Sequence, residues 1–243
     1  MGALTKDLPK CIAVKFQGKS LLEHQIGKLR ALNVNQIVVV RGYQGSKITL
    51  PGIRYVTNPD YEKNNILESL FFAKSEFDSD LIIIYGDIWF EQTLLKNFMT
   101  HPGDCVIACD PNWQSTYSDR AHNPPSGAEL VNWNHLNEVT RIGKIWGEGQ
   151  INGEFIGMMK LAKTFTSQFK KLYAEVSKSF SGKPFQKAST FRQAMLSDFI
   201  QEMVNRKIVV KSHLIQGRWF EFDTPEDIKK AETIFGITSS NRI

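Results

Sequence analysis

The stretch Asp80-Leu-Ile-Ile-Ile-Tyr-Gly-Asp87 places an unbroken run of apolar or aromatic side chains directly before a turn and a carboxylate. Such a run is typical of a strand buried on both faces, and Gly86-Asp87 ends it at a tight turn. Ligands bind at the carboxyl ends of strands in an open parallel sheet, so a short carboxylate there can hold a metal ion. Asp87 is therefore the leading candidate for a functional residue. The alternative is that Asp87 only caps the helix predicted over residues 91–99.

Strand and helix patterns alternate on both sides of this stretch. Ser20 and Glu23 form a capping box that begins a helix over residues 21–32, and Asn64 or Asn65 can cap another. Further helices are predicted over 161–176, 190–205 and from Pro225 onward, and further strands over 36–41, 52–57, 105–109, 153–159, 207–211 and 218–222. This alternation predicts a three-layer α/β fold with a mostly parallel sheet and helices on both faces. Residues 110–152 break the pattern and predict a small antiparallel lobe over the site.

Length and composition indicate a folded globular protein. The chain has 243 residues, 42% hydrophobic and 23% charged, so a single domain over residues 1–243 can bury a full core. The formal charge of +5 suits phosphorylated substrates. The basic residues are spread along the chain rather than gathered in one stripe, which argues against nucleic-acid binding.

Cysteine content and hydropathy indicate the cellular compartment. Cys11, Cys105 and Cys109 form neither an even disulfide set nor a zinc pattern, which fits a reducing cytoplasm. The sequence contains no apolar stretch long enough for a membrane span and no signal-peptide core. We therefore expect a cytoplasmic protein with small-molecule partners and no membrane partner, while the sequence leaves its oligomeric state open.

Several short motifs, each weak alone, occur in an order and spacing that resemble a known family. They are Leu4-Thr-Lys-Asp-Leu-Pro-Lys10, Leu21-Leu22, Val40-Arg-Gly-Tyr43, the segment from Asn65 to Ser69, Tyr85-Gly-Asp87, Gly153-Glu-Phe-Ile-Gly157 and Glu221-Phe-Asp223. Over nearly its whole length the chain resembles nucleotidyltransferases of the sugar-nucleotide pyrophosphorylase fold. It is most similar to the branch of phosphocholine and aminoalkylphosphonate cytidylyltransferases. The resemblance implies a nucleotide-diphospho-sugar transferase-like fold.

The resemblance implies transfer of a nucleoside monophosphate, CMP from CTP in this branch, to a phosphorylated small molecule, with release of pyrophosphate. Two anions repel as the acceptor oxygen approaches the α-phosphorus, so Mg²⁺ and a lysine must neutralise charge. By the resemblance, Asp87 and Asp223 are the Mg²⁺ ligands and Lys10 reaches a phosphate. Each aspartate follows an apolar strand, so both can lie at the same end of one sheet. The alternative for Lys10 is an ordinary solvated loop lysine.

Nucleotide-binding residues are also carried over from the resemblance. Asn65 and Ser69 match the segment that reads the nucleobase in relatives, and Tyr85 and Gly86 belong to the same expected nucleotide site. Asn65 can cap a helix at the same time. The segment 41–43 ends a strand near this site, although Gly42 can serve the turn alone.

By the resemblance, the expected acceptor pocket consists of Trp113, Tyr117, Arg120, Glu129 and Glu154. An amine can sit on an aromatic face beside a carboxylate, while an arginine takes a phosphate or phosphonate. This chemistry suits phosphocholine or an aminoalkylphosphonate, although most tryptophans and tyrosines serve packing.

Two further features of the sequence leave alternatives open. Asp198 lies inside an apolar helical stripe, where it either caps the helix or supports the site from behind. Relatives begin with a strand and a glycine-rich loop ending in Arg, and Met1-Gly2 stands where that loop finishes. Three explanations fit the absence of this strand and loop: a start codon assigned too late, which we favour, an N-terminus that was trimmed, and a natural loss of the segment.

For the 243-residue chain as given we expect a gap in the sheet, weak nucleotide binding, little turnover and poor stability. An in-frame glycine-rich segment encoded upstream of Met1 would identify the first explanation. A sugar-1-phosphate nucleotidyltransferase and a catalytically impaired regulatory paralogue remain as alternative functions.

Overall fold

The computed structural model describes residues 2–117, 127–144 and 149–234. The helices are α1 (Lys10–Ala13), α2 (Leu21–Ala31), α3 (Ile66–Phe72), α4 (Gln92–Thr100), α5 (Trp113–Tyr117), α6 (Lys163–Ser179), α7 (Leu196–Asn205) and α8 (Pro225–Ile234). The strands are β1 (Lys15–Phe16), β2 (Lys19–Ser20), β3 (Val38–Arg41), β4 (Arg54–Thr57), β5 (Leu81–Ile84), β6 (Ile88–Phe90), β7 (Cys105–Asp110), β8 (Leu130–Trp133), β9 (Val139–Gly143), β10 (Gly153–Leu161), β11 (Lys211–Leu214) and β12 (Trp219–Glu221).

The largest sheet contains β11, β7, β10, β8 and β9 in that order, and β5 pairs with the second half of β10. Both β5 and β7 are antiparallel to β10, and β11 is parallel to β7. Three strands therefore run in one direction with β10 reversed between them. The predicted α/β class with a mostly parallel sheet is confirmed. The antiparallel pair of β8 and β9 joins the start of β10, in the region where the sequence predicts an antiparallel lobe.

One face of this sheet is covered by α3, α6 and α7. Phe71, Phe169 and Phe199 from these helices form an aromatic cluster, with ring centroids 5.4 Å apart for the first two and 5.2 Å for the last two. They belong to the same buried core as Ile107 and Met159 of the sheet. Burial of each such side chain contributes roughly 1.5–3 kcal/mol, so this face holds the largest part of the core.

The opposite face is covered by α2 and α4. Leu29 and Phe98 of these helices belong to one buried core with Val106 and Met158. The helices form where the sequence predicts them, and the capping box of α2 is complete: Ser20 N–H donates to Glu23 Oε2 at 2.7 Å. Helices on both faces make the predicted three layers.

A separate parallel pair, β3 and β4, lies beside the main sheet. Helix α2 contacts both parts, because its Ile26 shares a core with Val39 of β3 while its Leu29 shares one with Ile84 of β5. Within the described residues β3 does not pair with β5, so the sheet is interrupted at this point.

Two predicted boundaries are wrong. The helix predicted over 190–205 begins only at Leu196, because Asp198 accepts a hydrogen bond from the Met195 N–H at 2.8 Å and so caps the helix at that point. The strand predicted over 207–211 lies at Lys211–Leu214, where the backbone pairs with β7. Val210 instead packs in the core just before this strand. Among the described residues, no helix combines the length and apolarity needed to cross a membrane.

Candidate active site

Asp87 and Asp223 meet through a short antiparallel pair of strands. Asp87 directly precedes β6 and Asp223 lies two residues after the end of β12, and these strands pair with Ile88 opposite Glu221. The Phe222 N–H donates to the Asp87 carbonyl at 3.1 Å and fixes the register next to the carboxylates. The structure therefore brings the two sequence-predicted metal ligands together.

Lys10 lies between these two aspartates. Its Nζ donates to Asp87 Oδ2 at 2.9 Å and to Asp223 Oδ1 at 2.6 Å. Burial alone lowers the pKa of an ammonium, but Asp87 and Asp223 outweigh it and hold the pKa of Lys10 above its ordinary value. The side chain is thus a fixed cation between two carboxylates, which an ordinary solvated loop lysine is not.

Glu221 completes a cluster of three carboxylates that the sequence reasoning did not assign. One oxygen each from Asp87, Glu221 and Asp223 lie within 4.8 Å of one another. Burial, and then the two neighbouring aspartates, raise the pKa of Glu221 to about 9. Because side chains alternate along a strand, Glu221 and Asp223 share one face, and this spacing could have identified Glu221 from the sequence.

This cluster suits a hard divalent cation such as Mg²⁺. Carboxylate oxygens are the ligands that such ions prefer, and three of them converge here. The ammonium of Lys10 already occupies a cationic position between two of the three. Asp87, Glu221 and Asp223 are therefore the residues that fit the ion.

A cavity of about 460 Å³ opens beside the cluster. Its lining contains the residues that follow β5, the first part of β10, the carboxylate cluster and two lysines. The lining residues are Lys10, Cys11, Ile66, Tyr85, Gly86, Asp87, Gly127, Glu129, Lys144, Glu154, Phe155, Ile156, Gly157, Met195, Trp219, Glu221 and Asp223. A volume of this size accommodates a small organic ligand.

Tyr85 and Gly86, both predicted as site residues, form one wall of this cavity. Gln25 Nε2 donates to the Tyr85 and Ile88 carbonyls, each at 2.8 Å, and so braces the turn that carries Asp87 from the side of α2. Burial, followed by the nearby Glu129 carboxylate, raises the pKa of Tyr85 well above its ordinary value. Tyr85 is therefore a neutral phenol at physiological pH.

Glu129 and Glu154 lie deep in the same cavity, the first directly before β8 and the second on the neighbouring strand β10. Glu154 is 2% exposed and accepts a hydrogen bond from the Tyr117 hydroxyl, while Glu129 is 7% exposed and accepts one from the Ser197 hydroxyl. Burial raises the pKa of Glu129, and the bond from Ser197 partly opposes that rise. Three of the predicted acceptor residues are thus brought together.

Comparison with known proteins identifies the family. A family model described as the MobA-like NTP transferase domain matches residues 7–143, more than half of the chain. The chain belongs to the MobA-like NTP transferase family. The predicted family is confirmed.

One relative and two solved structures resemble this NTP transferase over nearly its full length. A CTP:phosphoglutamine cytidylyltransferase of Campylobacter jejuni subsp. jejuni serotype O:2 is 26% identical over 237 residues, covering 93% of this chain and 92% of that protein. A solved structure of a CTP:phosphocholine cytidylyltransferase from Streptococcus pneumoniae superposes with a TM-score of 0.71 at 17% identity, covering 97% and 93% of the two chains. An inositol-1-phosphate CTP transferase from T. maritima gives a TM-score of 0.69 at 22% identity, covering 98% and 91%. The solved structures establish the shared fold.

One predicted acceptor residue of this NTP transferase, Trp113, lies away from the described cavity wall. Trp113 packs in a small cluster with Tyr117, Ala128 and Leu130, and it is not part of the described cavity wall. Its ring meets Tyr117 edge-on, with centroids 5.9 Å apart, so it supports the tyrosine that binds Glu154. Arg120 lies outside the described residues.

The predicted nucleobase residues flank the cavity through α3. Asn65 caps this helix, accepting from the Ile66 N–H at 2.8 Å, and it also donates to the Gln193 carbonyl at 3.2 Å. The Ser69 hydroxyl accepts from Asn58 Nδ2 at 2.8 Å. Within the described residues neither side chain lines the cavity, although Ile66 between them does. The capping role of Asn65 is therefore present in the structure.

A second cavity, of about 540 Å³, lies on the other side of Lys10 and Asp223. Arg41, Gly42 and Tyr43 line it, as expected for a segment near the site. The Arg41 guanidinium, however, is held by the Gly45 and Ile48 carbonyls, both at 3.1 Å. Asp198 lines neither cavity and acts as the cap of α7.

Proposed function

We propose that this NTP transferase moves CMP from CTP to a phosphorylated small molecule that carries an amine or ammonium group, and that Mg²⁺ is its cofactor. The observation that carries the proposal is the convergence of Asp87, Glu221 and Asp223 around the Lys10 ammonium at the wall of a cavity. The family match supports nucleotidyl transfer in general. The similarity to cytidylyltransferases supports CTP as the donor.

The three carboxylates would hold the ion, which supplies positive charge against the triphosphate. Lys10, on the same wall, adds a second positive charge and can contact a phosphate oxygen once its aspartates are engaged. The acceptor phosphate needs no protein base to remove a proton, because its second pKa is about 6 and the attacking oxygen is already an anion at neutral pH. That oxygen forms a bond to the α-phosphorus while the bond to pyrophosphate breaks, without a covalent enzyme intermediate.

The charge of the cavity favours a cationic acceptor. Five carboxylates line it, from Asp87, Glu129, Glu154, Glu221 and Asp223. Against them stand only two lysines among the lining residues that the structure describes. Burial raises the pKa of both Glu129 and Glu221, and an ammonium or amine on the acceptor stabilises these carboxylates in their charged form. Phosphocholine, which appears in the name of one structurally similar protein, carries both a phosphate and an ammonium group.

A sugar-like phosphate is the second candidate. Buried carboxylates also accept hydrogen bonds from hydroxyl groups, and Glu129 and Glu154 already do so from Ser197 and Tyr117. The structural similarity to an inositol-1-phosphate CTP transferase supports the same alternative.

The experiment is a panel of the four ribonucleoside triphosphates against phosphocholine, phosphoethanolamine, inositol 1-phosphate and glucose 1-phosphate, with Mg²⁺. Enzyme and nucleotide are mixed in equal amounts so that a single turnover is detected, and products are identified by mass spectrometry. The proposal requires a CMP–acceptor product and pyrophosphate with an amine-bearing acceptor. Formation of product only with glucose 1-phosphate or inositol 1-phosphate would support the second candidate, a sugar-like phosphate acceptor. Nucleotide binding without product from any pair supports the impaired paralogue and refutes the proposal.

A further inference from the structure

Trp219 is an aromatic wall of the cavity that the sequence reasoning did not single out. It is 8% exposed and lies on β12 two residues before Glu221 and four before Asp223. Alternation along the strand directs Trp219 and Glu221 to the same side, and all three residues line the cavity. The ring therefore stands next to the carboxylate cluster.

A buried hydrogen bond fixes the orientation of this ring. Trp219 Nε1 donates to Asp110 Oδ2 at 2.7 Å, and Asp110 Oδ1 accepts from the Asn112 N–H at 2.8 Å. Asp110 is itself 8% exposed, so it is a buried carboxylate whose two oxygens are both engaged. A charge-assisted bond of this kind holds an indole more firmly than packing alone.

The same aspartate connects the ring to the deepest carboxylate of the cavity. Asp110 at the end of β7 is the register partner of Glu154 on β10, so the two residues are cross-strand neighbours. Glu154 in turn is held by the Tyr117 hydroxyl. The indole and the Glu154 carboxylate are therefore two fixed elements of one cavity wall.

We propose that Trp219 is a specificity-determining residue whose ring, with Glu154, forms the subsite for the cationic group of the acceptor, and that Asp110 is the positioning residue that holds the ring. This inference rests on the proposed function. An ammonium beside an aromatic face and a carboxylate is attracted by both, and the attraction is larger where water is excluded. A neutral group of the same shape gains neither interaction.

The test compares two acceptors of equal shape and different charge, phosphocholine and 3,3-dimethylbutyl phosphate. Binding is measured by calorimetry with Mg²⁺ and α,β-methylene-CTP, which prevents transfer. The wild-type chain is expected to prefer the cationic acceptor, and W219L is expected to reduce that preference about tenfold. The affinity for the nucleotide analogue is expected to be unchanged in W219L.

The positioning role of Asp110 is tested by two substitutions. D110N has one amide oxygen for the two N–H groups that donate to Asp110, so it should retain part of the preference. D110A removes both acceptor oxygens and should reduce the preference in the same direction as W219L. A wild-type preference in D110A would show that Asp110 does not act through the indole.

The matched control is W89L on the neighbouring strand β6. Trp89 is the register partner of Phe220, whereas Trp219 is the partner of Phe90, so the two tryptophans point to opposite sides. W89L should leave the preference at the wild-type value, and thermal unfolding of each variant reports any general loss of structure.

Three outcomes overturn the subsite: a wild-type chain that binds both acceptors equally, a W219L chain with the wild-type preference, or a W89L chain that loses the preference to the same extent. The first two leave the proposed CMP transfer intact if product still forms with phosphocholine. A wild-type chain that binds nucleotide but transfers CMP to no amine-bearing acceptor removes both the proposed acceptor class and the subsite.

Discussion

Replacing Lys10 by methionine is expected to strengthen metal binding in the absence of nucleotide and to weaken transfer. In the structure the ammonium lies 2.9 Å from Asp87 Oδ2 and 2.6 Å from Asp223 Oδ1, between the ligands that would hold the ion. A divalent ion must therefore compete with this ammonium for both oxygens. Methionine has a similar length and no charge, so K10M removes the competitor with little change in volume.

The magnitude follows from the two contacts. A hydrogen bond to a charged group contributes about 1.5–3 kcal/mol when it is well shielded from water. Here the side chains are 27–33% exposed, so solvent screening places each contact at the low end or below. Without the ammonium, the carboxylates of the cluster also bind protons more readily, and a bound proton competes with the metal ion. This competition offsets part of the gain in metal affinity, since the pKa of Glu221 is already raised to about 9. The net effect is roughly 1–2 kcal/mol, or about 5–30-fold tighter binding.

The assay is a titration with Mn²⁺ followed by electron paramagnetic resonance, with wild type and K10M at the same pH. A single-turnover CTP reaction run beside it should show the opposite sign, since transfer loses the positive charge at the phosphates. K15M is the control, because Lys15 is an exposed lysine that lines neither cavity. Mn²⁺ binding by K10M that is equal to or weaker than that of wild type would refute the view that the Lys10 ammonium competes with the metal ion for these oxygens.

Two further predictions concern stability. G157A should lower the free energy of unfolding, measured in urea, by about 2–4 kcal/mol. Gly157 has φ +77°, and an added Cβ would lie 2.5 Å from Tyr85 Cδ2. An unfolding midpoint equal to that of wild type would contradict this close approach. For His213, burial and then His101 lower the pKa from 6.5 to about 4. Above pH 6.5 the ring is neutral in both states; as the pH falls from 6.5 toward 4 the unfolded chain binds a proton that the folded chain does not, so stability falls. The loss is at most about 1.4 kcal/mol per pH unit, and H213Q should show a shallower loss than wild type or the exposed-site variant H135Q. Identical pH profiles of H213Q and wild type would contradict this.

Local patterns in the sequence were sufficient for most of the fold. The capping box at Ser20 and the apolar run before Asp87 each specify an element through neighbours in the chain, and both elements are present. The start of α7 was missed because it depends on the side chain of Asp198 reaching back to Met195. The shift of β11 was missed because the pairing with β7, not the apolar run before it, defines the strand.

The site depended on contacts between distant parts of the chain. The family resemblance named Asp87 and Asp223, but the antiparallel pairing of β6 with β12 that joins them has no local signal. The two-residue spacing between Glu221 and Asp223 was a local signal that both side chains point to the same site. Trp219 had no such signal in the sequence. Trp113 and Trp219 are both 8% exposed and both pack in buried clusters, and residue type does not show that Trp219 also lines the cavity.

The proposed role of the carboxylate cluster in CMP transfer is tested by single-turnover formation of the CMP–acceptor product by D87N. We expect a loss of at least about 100-fold relative to wild type, with the circular dichroism spectrum unchanged. D78N, which changes a carboxylate that is 79% exposed and pairs with Lys170, should keep the wild-type rate. Product formation by D87N at the wild-type rate would contradict the account.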